Sequence, residues 1–426
     1  MFKEMHKNLK VRLIEIILVS CLNNMVYPFL AIYFAKNFGE ALSGILLVSI
    51  SILGVLAGFY GGHLGDLIGR RKILLFSESM RFLAFVVMTF ANSPWFHLPW
   101  ITFVMMAVNN MSWGVATPAL DAMIIDASTQ ENREFYYTYQ YWTINIAMVV
   151  GTTLGGFLFF AHPFIVFSMV GLGSLFSIVL LLFFIKETYI PTNDMQNKIN
   201  LKPAVPKMKR LFTTYKFVFK DKTFITFIIA SLLIYSIETQ ARSYAGVRLS
   251  NEYGKKVIFS MHHWSLTTNG VQMFGIINAE NSLIVILLAL FVRRLFKKFA
   301  NRLVLYFGTV LFGLGYAIIG ISNSAYLLIL MMFVATIGEL MWVPVQQSIM
   351  SGIPPEENRS SYMAINAIVG YGPGILGSLA VTIGAFLPPW AMGIIFMSCS
   401  LIAIIMCERS RKQLSERSAT YGYLPT

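Results

Sequence analysis

Apolar windows of about twenty residues recur along the chain, each long enough to cross the hydrocarbon of a bilayer as one helix. They fall at 11–34, 41–62, 73–92, 99–124, 137–160 and 163–185, then after a polar gap at 223–247, 273–292, 303–321, 325–349, 361–386 and 389–407. The pattern predicts an all-α membrane protein with twelve transmembrane helices, six plus six. The implied plan is an N-terminal six-helix bundle over 1–185, a linker over 186–222, a C-terminal six-helix bundle over 223–407 and a tail over 408–426. The linker is the widest polar segment, with nine basic residues against three acids and with Pro191, Pro203 and Pro206. It reads as a cytoplasmic connection, partly a helix lying on the membrane surface.

Composition strengthens this picture. Of 426 residues, 56% are hydrophobic and only 12% are charged, about half the charge of an ordinary soluble domain. Lipid is therefore the expected solvent for most of the surface. The net charge of +13 would suit nucleic acid, but the positive residues flank apolar runs and no RNA or zinc motif accompanies them. An anionic membrane leaflet is the better partner, and nucleic acid is excluded. One loop holds Arg70, Arg71 and Lys72, and another holds Arg293, Arg294, Lys297, Lys298 and Arg302, whereas the turns "NSPWFHLPW", "AHPF", "ISNSAY" and "FLPPW" hold no Lys or Arg. By the positive-inside rule the basic loops and both termini face the cytoplasm, with a bacterial cytoplasmic membrane as the expected location. The 248–272 connection, with Arg248, Lys255 and Lys256, departs from that rule. The start, "MFKEMHKNLKVR", resembles a signal peptide. However, Asn23, Asn24 and Pro28 interrupt the following run and no A-x-A site closes it, so an uncleaved first helix is expected. Cys21, Cys399 and Cys407 all lie in or at the end of apolar runs and imply neither a disulfide framework nor a metal cluster. No metal or cofactor is expected.

An internal repeat supports two halves. At a constant offset of 226, Pro118 matches Pro344, Glu131-Asn132-Arg133 matches Glu357-Asn358-Arg359, Tyr136 matches Tyr362 and Gly151 matches Gly377. Helices 4 and 5 therefore stand in the same roles as helices 10 and 11. Parallel halves of this kind are a recurrent transporter plan, with substrate bound near the midplane and exposed to alternate sides by rocking.

The loop after the second window reads "GGHLGDLIGRRKIL", residues 61–74. It resembles the signature of the major facilitator superfamily between helices 2 and 3, G-x-L-x-D-x-x-G-R-R/K, with Gly62, Leu64, Asp66, Gly69, Arg70 and Arg71 on the pattern. The resemblance covers essentially the whole chain and implies the major facilitator fold of two pseudo-symmetric six-helix bundles. It also implies a cytoplasmic gate in which Asp66, Arg70 and an acid at the end of helix 4, here Asp126, hold the inner side closed. The start of helix 11, near Ser360 and Ser361, is the expected helix end facing Asp66. Arg71 and Arg133 belong to the same cytoplasmic group. Setting topology is a role the basic residues play in any case, but it requires neither the glycines nor Asp66.

Ionisable groups at membrane depth are costly and mark candidate function. Glu339 lies mid-span in "FVATIGELMWVPVQQ" and is the first candidate for reversible protonation. Glu280 lies in helix 8 between Asn278 and Asn281. Glu238 and Arg242 are four apart on helix 7 and share a face, so they either form a structural pair or one broken in the cycle. Asp121 lies about one turn from Asp126. Glu78 and Arg81, three apart on helix 3, read as a structural pair. Asn23, Asn24, Gln140, Asn145 and Gln346, with the aromatic Trp113, Trp142 and Trp342, either bond helices together or line a cavity.

Within the superfamily, "DAMIIDASTQENREFYYTYQYW", "RLSN" at 248–251 and "IGELMWVP" at 337–344 resemble LmrP-type multidrug/proton antiporters. That resemblance implies proton-driven export of amphiphilic, often cationic, small molecules by alternating access. Gln140 stands where such relatives can carry an acid, and Thr152 replaces the usual proline in "GTTLGG". The alternatives are a proton-coupled importer of a peptide, sugar or metabolite, and a non-transporting receptor or scaffold. An intramembrane enzyme is not expected, because no nucleophile–base pair or metal-ligand spacing is present. The expected partners are protons, a small-molecule substrate and the bilayer, and the expected functional unit is a monomer.

Overall fold

The computed structural model describes residues 5–188, 218–261, 264–354 and 359–421. Most of the expected linker falls outside these residues, and with it the surface-lying helix. A helix stands at each of the twelve expected places. They are α1 (Lys7–Phe38), α2 (Glu40–Ile68), α3 (Arg70–Ala91), α4 (Pro99–Asp126), α5 (Gln130–Leu158) and α6 (Pro163–Phe183), followed by α7 (Lys222–Glu252), α8 (Gly270–Phe296), α9 (Asn301–Ile319), α10 (Ala325–Gly352), α11 (Arg359–Gly384) and α12 (Pro389–Tyr421). Among the described residues ten helices are long and apolar enough to cross a membrane. Of the other two, α4 carries Asn109, Asn110, Asp121 and a proline inside the helix, and α11 has a shorter apolar part, Val369–Gly384. The chain is an integral membrane protein of α-helices, the architecture that satisfies backbone polar groups without water.

Two segments hold detail that the hydropathy pattern does not register. The first window is one membrane span, Lys7–Phe38, with an irregularity inside it: Lys7–Asn24 and Leu30–Phe38 are α-helical and Tyr27–Phe29 forms a tighter 3-10 turn between them. Pro28 lacks an N–H and cannot make the α-helical bond to Asn24, so the chain tightens there. The 248–272 connection is largely ordered into regular elements. Helix α7 continues to Glu252, and Lys256–Met261 (β1) pairs antiparallel with Trp264–Thr268 (β2), in a register running from Lys256 opposite Thr268 to Met261 opposite Trp264. His262 and His263 lie outside the described residues.

The chain divides into two compact units. One contains Met1–Asn200 with Gly246–Ile286, and the other contains Leu201–Ala245 with Leu287–Thr426. In the first unit α4 packs on α2 and α3, α3 on α6, and α1 on α5 and α6. In the second, α9 packs on α10 and α12.

The internal repeat has a physical counterpart in both units. Tyr136 of α5 is buried with Met5, Leu9, Leu13 and Ile124, and Tyr362 of α11 is buried with Phe224, Phe227, Ile228 and Met350. A Cβ at Gly151 would strike the Cys21 carbonyl oxygen of α1, and one at Gly377 would come within 2.8 Å of the Thr239 carbonyl oxygen of α7. Glycine is required where α5 meets α1 and where α11 meets α7, because the backbones approach too closely for any side chain.

Candidate functional site

The second unit concentrates ionisable groups on three helices. Glu238 and Arg242 lie one turn apart on α7, and Arg242 Nη2 is 2.9 Å from Glu238 Oε1, with both side chains 22% exposed. Glu339, half-buried on α10, lies within electrostatic reach of Arg242 and of the Tyr235 and Tyr316 hydroxyls. Tyr235 meets the ring of Trp342 edge-on with centroids 4.8 Å apart, and Trp342 contacts Phe312 at 5.5 Å. Trp342 is fully buried, so it is a wall of this group rather than an exposed surface. Gln346 donates to Ser231 Oγ at 2.9 Å and fastens α10 to α7. Pro344 lies inside α10. It has no N–H, so its helical bond to the Leu340 carbonyl, one residue beyond Glu339, is not made. Glu238 pairs with Arg242 and Glu339 lies within their electrostatic reach, so these three side chains carry a formal charge of one negative between them.

The first unit holds a different arrangement, in which two arginines each pair with one acid. Arg81, fully buried on α3, donates to Glu78 Oε1 at 2.8 Å, to Asn109 Oδ1 of α4 at 3.2 Å and to Asn23 Oδ1 of α1 at 3.4 Å. Its guanidinium lies 5.2 Å from the ring centroid of Trp113. Asn109 in turn donates to the Tyr27 hydroxyl at 2.6 Å, at the break in α1. On α1, Arg12 pairs with Glu15, which also accepts from Ser177 of α6. Asn23 and Trp113 are therefore partners of a buried arginine. Glu280 of α8 is half-buried, and among the described residues its Oε2 has no hydrogen-bond partner.

The signature loop forms a tight junction within the first unit. Gly69 has φ +103° between α2 and α3, a conformation that favours glycine, and a Cβ there would meet Glu187 Oε2 at 2.8 Å. Arg70 pairs with Asp126 and donates to the Ala122 carbonyl at 2.7 Å, tying α3 to the end of α4. Arg71 donates to the Leu181 and Leu182 carbonyls at 2.9 and 2.6 Å, and its backbone N–H reaches Glu187 at 3.0 Å. Arg133 donates to Ile125 and Ser128 carbonyls at 3.1 and 3.3 Å, closing the end of α4 from the start of α5. Gly62 and Asp66 fall outside the residues whose surroundings are described, as do Ser360 and Ser361, so the expected Asp66 contacts lie outside them too.

Residues 14–378 match the Major Facilitator Superfamily sequence profile, and a second match covers 249–420. The chain belongs to the Major Facilitator Superfamily. It is a secondary transporter of that family. It is 34% identical over 392 residues to a Na(+), Li(+), K(+)/H(+) antiporter of Planococcus maritimus, with 91% of this chain and 89% of that one covered. It is 22% identical to the multidrug resistance protein MdtH of Sodalis glossinidius, over 82% of this chain and 80% of the other. A solved transporter of the POT family, in complex with 5-aminolevulinic acid, superposes with a TM-score of 0.71 at 16% identity, over 94% of this chain and 95% of that one. That likeness shows the shared major facilitator fold.

The remaining candidates of this superfamily member are dispersed. Asn24 and Asn145 donate to carbonyls one turn back on their own helices, at 2.8 and 2.9 Å. Gln140 Oε1 is buried without a partner among the described residues, Trp142 is half-buried, and Asp121 is exposed. Thr152, at the position of the expected proline, donates to the Met148 carbonyl at 2.7 Å, so α5 stays helical there. Sequence reasoning missed Arg12, Glu15, Ser177 and Glu187. The Arg12–Glu15 pair carried a usable signal, the same three-residue spacing of opposite charges as Glu78–Arg81. Glu187 carried none for its link to the signature loop, since the Arg71 N–H that it accepts from lies 116 residues away.

Proposed function

We propose that the chain is a proton-coupled antiporter that expels a cation in exchange for protons, alternating access between two six-helix halves. The observation that carries this reading is the surplus negative charge of the Glu238–Arg242–Glu339 group. A surplus carboxylate inside a membrane protein is balanced by a proton or by a cation, and one charge cannot hold both at full strength. Competition of that kind is the requirement for exchange. A monovalent metal cation is the first cargo. Pro344 cannot supply the helical bond to the carbonyl of Leu340, the residue after Glu339, and carbonyl with carboxylate is the ligand chemistry of such ions. The likeness to the Planococcus antiporter over nine-tenths of both chains supports it. The Tyr235–Trp342 wall favours a second reading, a lipophilic organic cation, in keeping with the MdtH relatives. The Arg70–Asp126 junction is read as part of the cytoplasmic gate, with both termini cytoplasmic and a monomer as the working unit.

The test uses everted membrane vesicles with an acid interior and a fluorescent probe of the pH gradient. Addition of sodium, lithium or potassium chloride to vesicles containing the protein is expected to discharge the gradient. Choline chloride is expected not to, and ethidium in a parallel arm reports the second cargo. If no cation discharges the gradient beyond vesicles lacking the protein, the exchange reading fails.

A further inference from the structure

The two units treat their basic loops differently. In the first, Arg70 and Arg71 are held by Asp126 and by the carbonyls of Ala122, Leu181 and Leu182. In the second, Arg293, Arg294, Lys297 and Lys298 are exposed, and among the described residues none has a side-chain partner. These four lie within six residues at the end of α8 and in the turn to α9. Beside them Arg302 extends to Glu408 of α12 at 3.2 Å, and the same carboxylate accepts from Arg411 at 2.8 Å and from Tyr306. Glu408 is thus already shared among three donors, so the surface it joins keeps a large positive excess. A helix C-terminus draws cations to its dipole, which accounts for Arg293 and Arg294 but not for the two lysines beyond the helix end.

The apolar neighbours identify the occupant. Phe291, Leu295, Phe299 and Leu303 alternate with these cations and are exposed, Phe291 and Leu303 each at 61%. A soluble anion would leave that apolar surface unused. A molecule with a phosphate and acyl chains matches both features: chains against the aromatic and leucine side chains, phosphate oxygens against guanidinium and ammonium groups. We propose that the α8–α9 turn, with Arg302 and the end of α12, is a binding site for an anionic phospholipid of the leaflet that this turn faces.

The experiment is native mass spectrometry of the full chain released from detergent and titrated with phosphatidylglycerol, cardiolipin or phosphatidylcholine. Anionic lipids are expected to bind at least tenfold more tightly than phosphatidylcholine, and the preference is expected to shrink as ammonium acetate is raised. K297Q/K298Q is expected to weaken phosphatidylglycerol binding about fivefold or more for each lysine removed, and K297R/K298R to leave it unchanged. The lysines lie outside the helices, so these variants keep the fold, and an unchanged melting temperature verifies it. Equal binding of phosphatidylglycerol and phosphatidylcholine overturns the proposal, as does full retention by K297Q/K298Q, which would leave the cations a topological role only. Binding of glycerol phosphate as tight as that of phosphatidylglycerol also overturns it, since the surface would then be a site for soluble anions.

Discussion

Replacing Glu339 with Gln tests the charge argument at its centre. The side chain keeps its shape and hydrogen-bonding capacity but loses its charge, and the group falls from one surplus negative charge to none. Two unit charges about 4 Å apart at an effective dielectric of about 20 interact by about 4 kcal/mol, which sets the scale for a cation held near a carboxylate. Glu339 is half-buried and the Glu238–Arg242 pair is 22% exposed on each side, so water screens part of that interaction. A loss of about 3 kcal/mol, or roughly two decades in the half-saturating cation concentration, is the expected result. The assay is the vesicle experiment with sodium, lithium and potassium titrated over three decades, with protein content matched by immunoblot. Glu238→Gln makes the same change in net charge and leaves Arg242 to Glu339, so it is expected to impair exchange as well. The double variant is expected to be far from the sum of the two, because both act on one group. An unchanged half-saturating concentration in Glu339→Gln would refute the reasoning, and so would additive single effects.

Four further outcomes follow from particular contacts, all but one read as the melting temperature of the purified protein. Gly151→Ala drives a methyl into the Cys21 carbonyl of α1 and is expected to cost about 1–3 kcal/mol. Gly69→Ala places a side chain at φ +103° and against Glu187, a loss of about 1–3 kcal/mol. Asn109→Ala removes one of the acceptors of the fully buried Arg81 and the donor to Tyr27, a loss of about 1–3 kcal/mol. Asp126→Asn is expected to cost no more than about 1 kcal/mol, because Arg70 keeps the Ala122 carbonyl, while exchange in vesicles slows. A large fall in melting temperature for that variant would make the junction structural rather than a gate.

The positions of the helices were legible because each window must be apolar over some twenty residues whatever its neighbours are. The signature loop was legible because Gly69 and the two arginines stand at fixed spacing for local reasons, a left-handed turn followed by two side chains that reach carbonyls of nearby helices. The repeat was legible through Gly151 and Gly377, where close backbones admit no substitute. Other features depend on contacts between distant segments or on effects that hydropathy does not register. The break at Pro28 lies inside a run whose average hydrophobicity hides it. Arg12 and Glu15 look like the tail of a basic terminus, yet both are buried between α1 and its neighbours. The β1–β2 hairpin is built from strands of six and five residues, too short to stand out beside the membrane windows.

The distribution of charge also separates the acids by task. A proton-coupling carboxylate must pass between charged and neutral forms without dismantling the fold. Glu78 is bound to Arg81, and Arg81 also holds Asn109 and Asn23, so neutralising Glu78 would leave a fully buried guanidinium short of its counter-charge at the junction of three helices. Breaking such a buried pair costs about 3–5 kcal/mol, which suits a fastening and not a step repeated in every cycle. Glu15, bound to Arg12 and Ser177, is constrained in the same way. The Glu238–Arg242–Glu339 group differs because a second carboxylate lies within electrostatic reach of the paired guanidinium. On the proposed mechanism, when one carboxylate takes a proton the other still balances Arg242, and no buried charge is stranded. On the proposed exchange mechanism, the surplus acid, rather than the most deeply buried one, is where proton binding is reversible.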